Sequence, residues 1–232
     1  MAETRIVDLH SPYSGQIFER ELPVSIVAHL DGELVEKLRS GELYTFQCPT
    51  HQRPFHAVWS MTYIDRDNAL IAVVEPSVNP RDLPRIEVEG MRSRLMRRPE
   101  GLRELLLCLD YSFDDLALQI YKAMFIRALK FQYDEAKRKR EDLRAYVSPD
   151  KIKDAYIYTK TLGEEQVQLV LGLFLNDGES VELDMDNTDF NQAMHVLQDM
   201  DLSNYAHDDS FPLYDWKFGQ SCLDDLHAHG KL

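Results

Sequence analysis

The chain has 232 residues, 44% apolar and 10% aromatic, enough to bury a sizeable core without disulfides or metal. A formal net charge of −14 argues against a general DNA or RNA binder, whose affinity comes largely from Lys and Arg displacing phosphate counterions. The three scattered cysteines (Cys48, Cys108, Cys222), a start without signal-peptide features and the lack of any apolar run near the roughly 18 residues of a membrane span predict a soluble protein of the reducing cytoplasm.

Residues 1–90 read as a mostly antiparallel, ribbon-like sheet. QIFERELPVSIVAHL carries alternating stretches, and YTFQC, FHAVWSMTYI and ALIAVVEP are rich in aromatic and β-branched residues. Between the first two, DGELVEKLRSG places Leu34, Val35 and Leu38 at helical spacing with Gly41 as a stop, which predicts a short helix. The turn signal DRDN makes WSMTYI and ALIAVV a hairpin, and Pro76, Pro80 and Pro84 then punctuate an extended link.

Residues 91–150 read as helical. GLRELLLCLDY sets Leu102, Leu105, Leu106 and Leu109 on one face, and the next segment repeats Leu116, Ile120, Met124 and Ala128 four apart. Ser112 followed by Asp115 matches a capping pattern, so the second helix should start near Phe113. Asp114 and Asp115 could be read as paired catalytic carboxylates, but neighbours on a helix point about 100° apart, and capping explains them better. Cys108, within a run of leucines, reads as a small core residue.

Residues 151–218 return to strands. DAYIYTKTL, QVQLVLGLFL and ESVELDMD, separated by GEE and NDG, predict a three-stranded antiparallel meander, and NTDFNQAMHVLQDMD brings Phe190, Met194 and Leu197 to one side of a helix packed on it. His195 reads as a helix-flank residue. Residues 219–232, with His227 and His229, read as a disordered tail, leaving Cys222 outside the core. The fold class is therefore α+β, and residues 1–218 could form one compact unit.

Charge is lopsided along the chain. Arg92, Arg94, Arg97 and Arg98 form a basic loop, and Lys137, Arg138, Lys139 and Arg140 a basic helix end, whereas Asn176 to Asp215 contains no Lys or Arg. Alternation in ESVELDMD sets Val181, Leu183 and Met185 against Glu182, Asp184 and Asp186, so burying the first set displays the second.

Cys48 and His51 flank a Pro-containing turn, as two of the four ligands of a structural zinc site would. Ser11-Pro12-Tyr13-Ser14-Gly15 upstream has the same turn shape, with serine where thiolates would stand, and hydroxyls are poor zinc ligands. These turns, MTYIDRDNALIAVVEP, LRELLLCLDYSFDDLALQIYKAMF and YDWKFG together resemble the bacterial CpXC proteins, named for two Cys-Pro-x-Cys turns. The resemblance implies a metal knuckle at the start of a larger α/β domain, with no assigned reaction, and places the four cysteines at Ser11, Ser14, Cys48 and His51.

The resulting expectation is a non-catalytic, cytoplasmic protein-binding or regulatory module, with no catalytic residues, cofactor or metal ligands, whose family metal site has decayed. The alternative for the metal is zinc through Cys48 and His51 with nearby His10 and His56. Alternatives for the function are a zinc-ribbon-type nucleic-acid binder using the Arg92–Arg98 loop, and an acidic inhibitor or immunity-like protein for a basic partner.

Overall fold

The computed structural model describes residues 2–77, 88–162, 166–176, 179–205 and 215–231. Pro80 and Pro84 of the proline-punctuated link, and residues 206–214 of the acidic stretch, lie outside the described residues. The fold is α+β, and the chain divides into two compact units between Leu109 and Asp110. That division falls inside a helix, whereas the sequence alone places boundaries near residues 90 and 150.

The first unit is built on strands β1 (Glu3–His10), β2 (Ile17–Val27), β5 (Met61–Asp65), β6 (Leu70–Val74) and β7 (Arg92–Met96), in the order β1-β2-β5-β6-β7. Helix α1 (Gly32–Ser40) and a small hairpin of β3 (Thr45–Gln47) and β4 (Pro54–His56) lie in the connection from β2 to β5. The sheet is mixed rather than mostly antiparallel, because β2 pairs with β5 and β6 with β7 in parallel. A long connection through a helix and a hairpin lets the chain return in the same direction, whereas the short DRDN turn forces β5 and β6 to be antiparallel, Met61 opposite Val74. The expected basic loop is also corrected: Arg92–Met96 is a strand at the sheet edge, with Leu95 fully buried.

One core cluster joins the sheet to its helices: Leu9, Leu22, Ile26, Met61, Tyr63 and Val74 from the strands, Val35 and Leu38 from α1, and Leu102, Leu105 and Leu106 from α2 (Pro99–Tyr111). Gly41 ends α1 as the sequence predicts; its φ of 85° suits a residue without Cβ, and its N–H donates to the Leu38 carbonyl.

The second unit holds α3 (Asp115–Lys139), the meander β8 (Ile152–Leu162), β9 (Gln166–Leu175) and β10 (Ser180–Asp184), α4 (Asn187–Gln198) and α5 (Trp216–Ala228). The meander is antiparallel in the order β10-β9-β8, and α4 buries Phe190, Met194 and Leu197, both as expected from the pattern. Helix α3 starts later than predicted, because Asp114 is the cap: its side chain accepts the Ala117 N–H, while Ser112 adopts a positive φ of 56° at the end of α2. The buried stripe of α3 also turns away from the predicted one. Leu116, Ile120, Ala123 and Ile126 are buried, and Met124 and Ala128 face out.

The tail expected to be disordered is helical. Asp215 accepts the Phe218 N–H at 2.8 Å to start α5, and Gly219, Cys222, Leu223 and Leu226, three or four apart, form its buried stripe. Cys222 thus lies in the core. A Cβ on Gly219 would fall 2.2 Å from the backbone oxygen of Gln119 in α3, so the glycine permits a backbone approach that no other residue would.

Candidate functional site

The turn after β1 and the turn after β3 are copies of one another. In the first, Ser11 N–H donates to Gln16 O and Gly15 N–H to Ser11 O, both at 2.9 Å. In the second, Cys48 N–H donates to Arg53 O and Gln52 N–H to Cys48 O, also at 2.9 Å. The leading side chain of each accepts the N–H three residues on: Ser11 Oγ that of Ser14 at 3.4 Å, and Cys48 Sγ that of His51 at 3.4 Å. Each turn closes on a positive φ, Gly15 at 66° and Gln52 at 54°. The two turns are tied together by the Tyr13 hydroxyl, which donates to Pro54 O at 3.0 Å, by Thr50, which donates to Gln16 Oε1 at 3.1 Å, and by Arg53 stacked over the Tyr13 ring.

Between the turns sits Cys48, with no solvent exposure, its sulfur 3.6 Å from Ser14 Oγ and 3.5 Å from His51 Nδ1. All four positions named from the sequence therefore converge on one point. Burial pushes the Cys48 thiol up, but hydrogen bonds from Ser11, from the His51 backbone and ring, and from Ser14 outweigh it and bring its pKa down to about 6. A pKa of about 6 favours the thiolate form of Cys48 at neutral pH.

This donor set does not fit a structural zinc site. One thiolate and one imidazole are present where four ligands are needed, and the other two positions offer hydroxyls. Among the described residues no group of three His, Cys, Asp or Glu side chains is placed to hold a metal ion. His10 and His56 are not gathered with Cys48 and His51. His10 is exposed at the end of β1, and His56 turns Nδ1 to the Glu100 carboxylate at 2.9 Å.

Glu100 belongs to a polar cluster that the sequence reading did not find. Its buried carboxylate accepts from His56 and from Arg98 Nε and Nη2, at 3.2 and 3.0 Å, while Arg103 reaches the Tyr44 hydroxyl at 3.5 Å. Burial raises the Glu100 carboxyl, but the His56 hydrogen bond and the Arg98 charge hold it below the ordinary range; burial and Glu100 together push the Tyr44 phenol to about 12. Three of the four arginines of the supposed nucleic-acid loop are engaged within the chain, Arg98 on Glu100, Arg97 on the Glu75 carbonyl and Arg94 on that of Ser93, while Arg92 is exposed.

On the acidic strand, Glu182, Asp184 and Asp186 are exposed, Val181 and Leu183 half-buried and Met185 buried, as the alternation predicts. Two of these acids have local work. Glu182 accepts from Tyr158 and Lys160, and Asp186 caps α4 through the N–H groups of Thr188 and Asp189. Asp114 is a cap, as described. Cys108 is buried, and burial together with Asp225 pushes the Cys222 thiol to about 11. His195 is exposed beside Asp199, and His229 beside Asp225, in the last turns of α4 and α5; neither joins a metal-holding group. No helix among the described residues is long and apolar enough to cross a membrane.

Fold and site together define a mixed α+β protein whose first unit carries two matching Pro-containing turns that meet at Cys48. The family model described as CpXC protein matches residues 9–122, a stretch that includes both turns, strands β2 to β7, α2 and the start of α3, and over that stretch the chain is similar to the CpXC family. No curated protein and no solved structure matches the chain.

Proposed function

We propose that this is a non-catalytic, cytoplasmic protein-binding module in which hydrogen bonds around a thiolate have replaced the metal of the knuckle. The observation that carries the reading is the convergence of Ser11, Ser14 and His51 on Cys48: the frame of a four-ligand site is kept while its donors are exchanged for groups that stabilise a lone thiolate. A knuckle held in this way serves shape, and the surface around it remains for recognition. The lopsided charge supports a basic protein as the partner, with the exposed acids of β10 and the start of α4 as the face that meets it.

The test has two parts. The purified chain should carry no stoichiometric zinc and keep its circular dichroism in chelator; about one zinc per chain with unfolding on chelation overturns the metal-free knuckle. Asp184→Lys, which spares the capping Asp186 and the bonded Glu182, should reduce capture of basic proteins from the native cytoplasm and weaken its salt dependence. Equal capture by the variant removes the acidic face from the reading.

A further inference from the structure

The hairpin of β1 and β2 reaches beyond the rest of the sheet, since β2 pairs with β5 only over Ser25–Val27 while β1 accompanies β2 from Ile17 to Ser25. It therefore exposes backbone on both sides, and three hydrogen bonds fix which residues point where. Ser11 N–H donates to Gln16 O, so the pair at the hairpin mouth is a bonded one. With antiparallel alternation, Leu9, Val7 and Arg5 also turn their backbone groups toward β2, and Thr4, Ile6, Asp8 and His10 turn theirs outward. The other strand confirms the phase. Glu19, opposite Asp8, has its carbonyl turned away from β1, where Arg20 Nη1 donates to it at 2.9 Å, and Pro23, opposite Thr4, gives its carbonyl to Trp59 Nε1 at 2.8 Å.

The two outer edges differ. That of β2 is closed to a further strand: Pro23 has no N–H, and the outward carbonyls of Glu19 and Pro23 are already occupied. The edge of β1 has no proline and no strand paired to it among the described residues. At its centre stands Ile6, 71% exposed, the most exposed of the large apolar side chains among the described residues.

We propose that the β1 edge is a homodimer interface, pairing antiparallel with β1 of a second copy about a two-fold axis normal to the sheet through Ile6. A two-fold of this kind keeps each sheet face continuous, so only residues on the same face can lie opposite one another. Centring on Ile6 sets Ile6 against its own copy and Thr4 against Asp8 of the other chain. These are all outward-pointing residues, so the ladder gains about six hydrogen bonds, two from each bonded pair. The apolar side chain left 71% exposed in the single chain is covered by its symmetry mate, while Thr4 keeps its own hydrogen bond to Glu21. Centring on Val7 instead would oppose Ile6 to Asp8, leaving a carboxylate against an isoleucine. The interface is independent of the acidic face of the second unit.

Sedimentation equilibrium of the full chain tests this directly. The expected result is a monomer–dimer equilibrium that tightens with added salt, because each copy carries −14 and screening relieves their repulsion. Ile6→Pro removes an N–H that points away from β2, so it should leave the hairpin and melting temperature in place while raising the dimer Kd at least about tenfold; Ile6→Lys should do the same. Under oxidation Ile6→Cys should cross-link rapidly, its two Cα atoms lying about 5.5 Å apart. His10→Cys should not, since those positions fall about 27 Å apart at 3.4 Å per residue. The native cysteines are buried and do not compete. A wild-type chain that stays monomeric to about 1 mM, a dimer unchanged by both Ile6 variants, or equal cross-linking at positions 6 and 10 overturns the proposal, and none of these results bears on capture of a basic partner by the acidic face.

Discussion

Glu100→Gln keeps the shape of the side chain and removes its charge, which makes it a sharp probe of the cluster at the start of α2. The wild-type carboxylate is almost wholly buried and accepts from His56 at 2.9 Å and from two Arg98 nitrogens. The amide has one oxygen for these donors and turns its NH2 toward one of them, so at least one donor loses its acceptor. Breaking a buried pair from one side costs about 3–5 kcal/mol; because the side chains of Arg98 and His56 are 18% and 32% exposed and can regain some water, a loss of about 2–4 kcal/mol is expected. The assay is urea unfolding followed by Trp59 fluorescence, in which such a loss should lower the midpoint by roughly 1–2 M. The pH dependence has a definite sign. The Glu100 carboxyl titrates lower in the folded chain than in the unfolded one, so its contribution is complete above the unfolded value and is lost as the pH falls through the folded value. The deficit of the variant should therefore be full at pH 5 and shrink below about pH 4.5. The groups that face this carboxyl are His56 from β4, Arg98, and the Tyr44–Arg103 pair. A variant within about 0.5 kcal/mol of wild type at pH 5, or a deficit unchanged at pH 3, would refute the reasoning.

Thiolate absorbance near 240 nm should appear with a midpoint at about 6 and vanish in Cys48→Ser, and stability should rise with pH above that midpoint until the unfolded thiol also ionises near 9. Because Cys48 has no exposed surface, alkylation of the native chain should still be slow; rapid selective labelling would show that the knuckle opens and would favour an activated nucleophile. The double variant Ser11→Cys with Ser14→Cys should acquire about one zinc per chain by elemental analysis, since the two turns already share one geometry, and a metal-free double variant would show that the geometry is not that of a ligand site. Gly219→Ala sets a methyl 2.2 Å from the Gln119 carbonyl oxygen, so it should destabilise the second unit by at least about 1–3 kcal/mol in thermal unfolding, and a neutral effect would mean that α3 and α5 can part freely.

What could be read from the sequence was local. Gly41 stops α1, DRDN makes the β5–β6 hairpin, and the spacing of Phe190, Met194 and Leu197 gives the buried face of α4. Parallel pairing is decided by where a long connection returns, which no local pattern records, so the mixed sheet was out of reach. Strand β7 was hidden by Arg92 and Arg94, which interrupt any apolar run and leave only Leu95 and Met96 buried. Helix α5 was legible in principle: Asp215 as a cap and Phe218, Cys222 and Leu226 at fourfold spacing are the signals used elsewhere, outweighed by the polar residues between them. At the knuckle, the turn frame and its four positions were visible in the repeated Pro-containing turns. The thiolate was not, because its stabilisation depends on serine hydroxyls contributed from a turn 34 positions away.

That separation bears on the order in which the chain can fold. Holding Ser14 against Cys48 closes a loop that contains β2 and α1, and the entropy of closure must be met by whatever makes the contact. Four metal bonds could close such a loop in a largely unstructured chain and template the later steps. A few hydrogen bonds to one sulfur, each worth about 1 kcal/mol net, cannot. On this reasoning the parallel docking of β5 beside β2 would precede the knuckle, which would then set on an existing scaffold. A knuckle held by hydroxyls rather than by metal would therefore set at the end of assembly rather than at its beginning, with slower formation of the first unit as the kinetic cost.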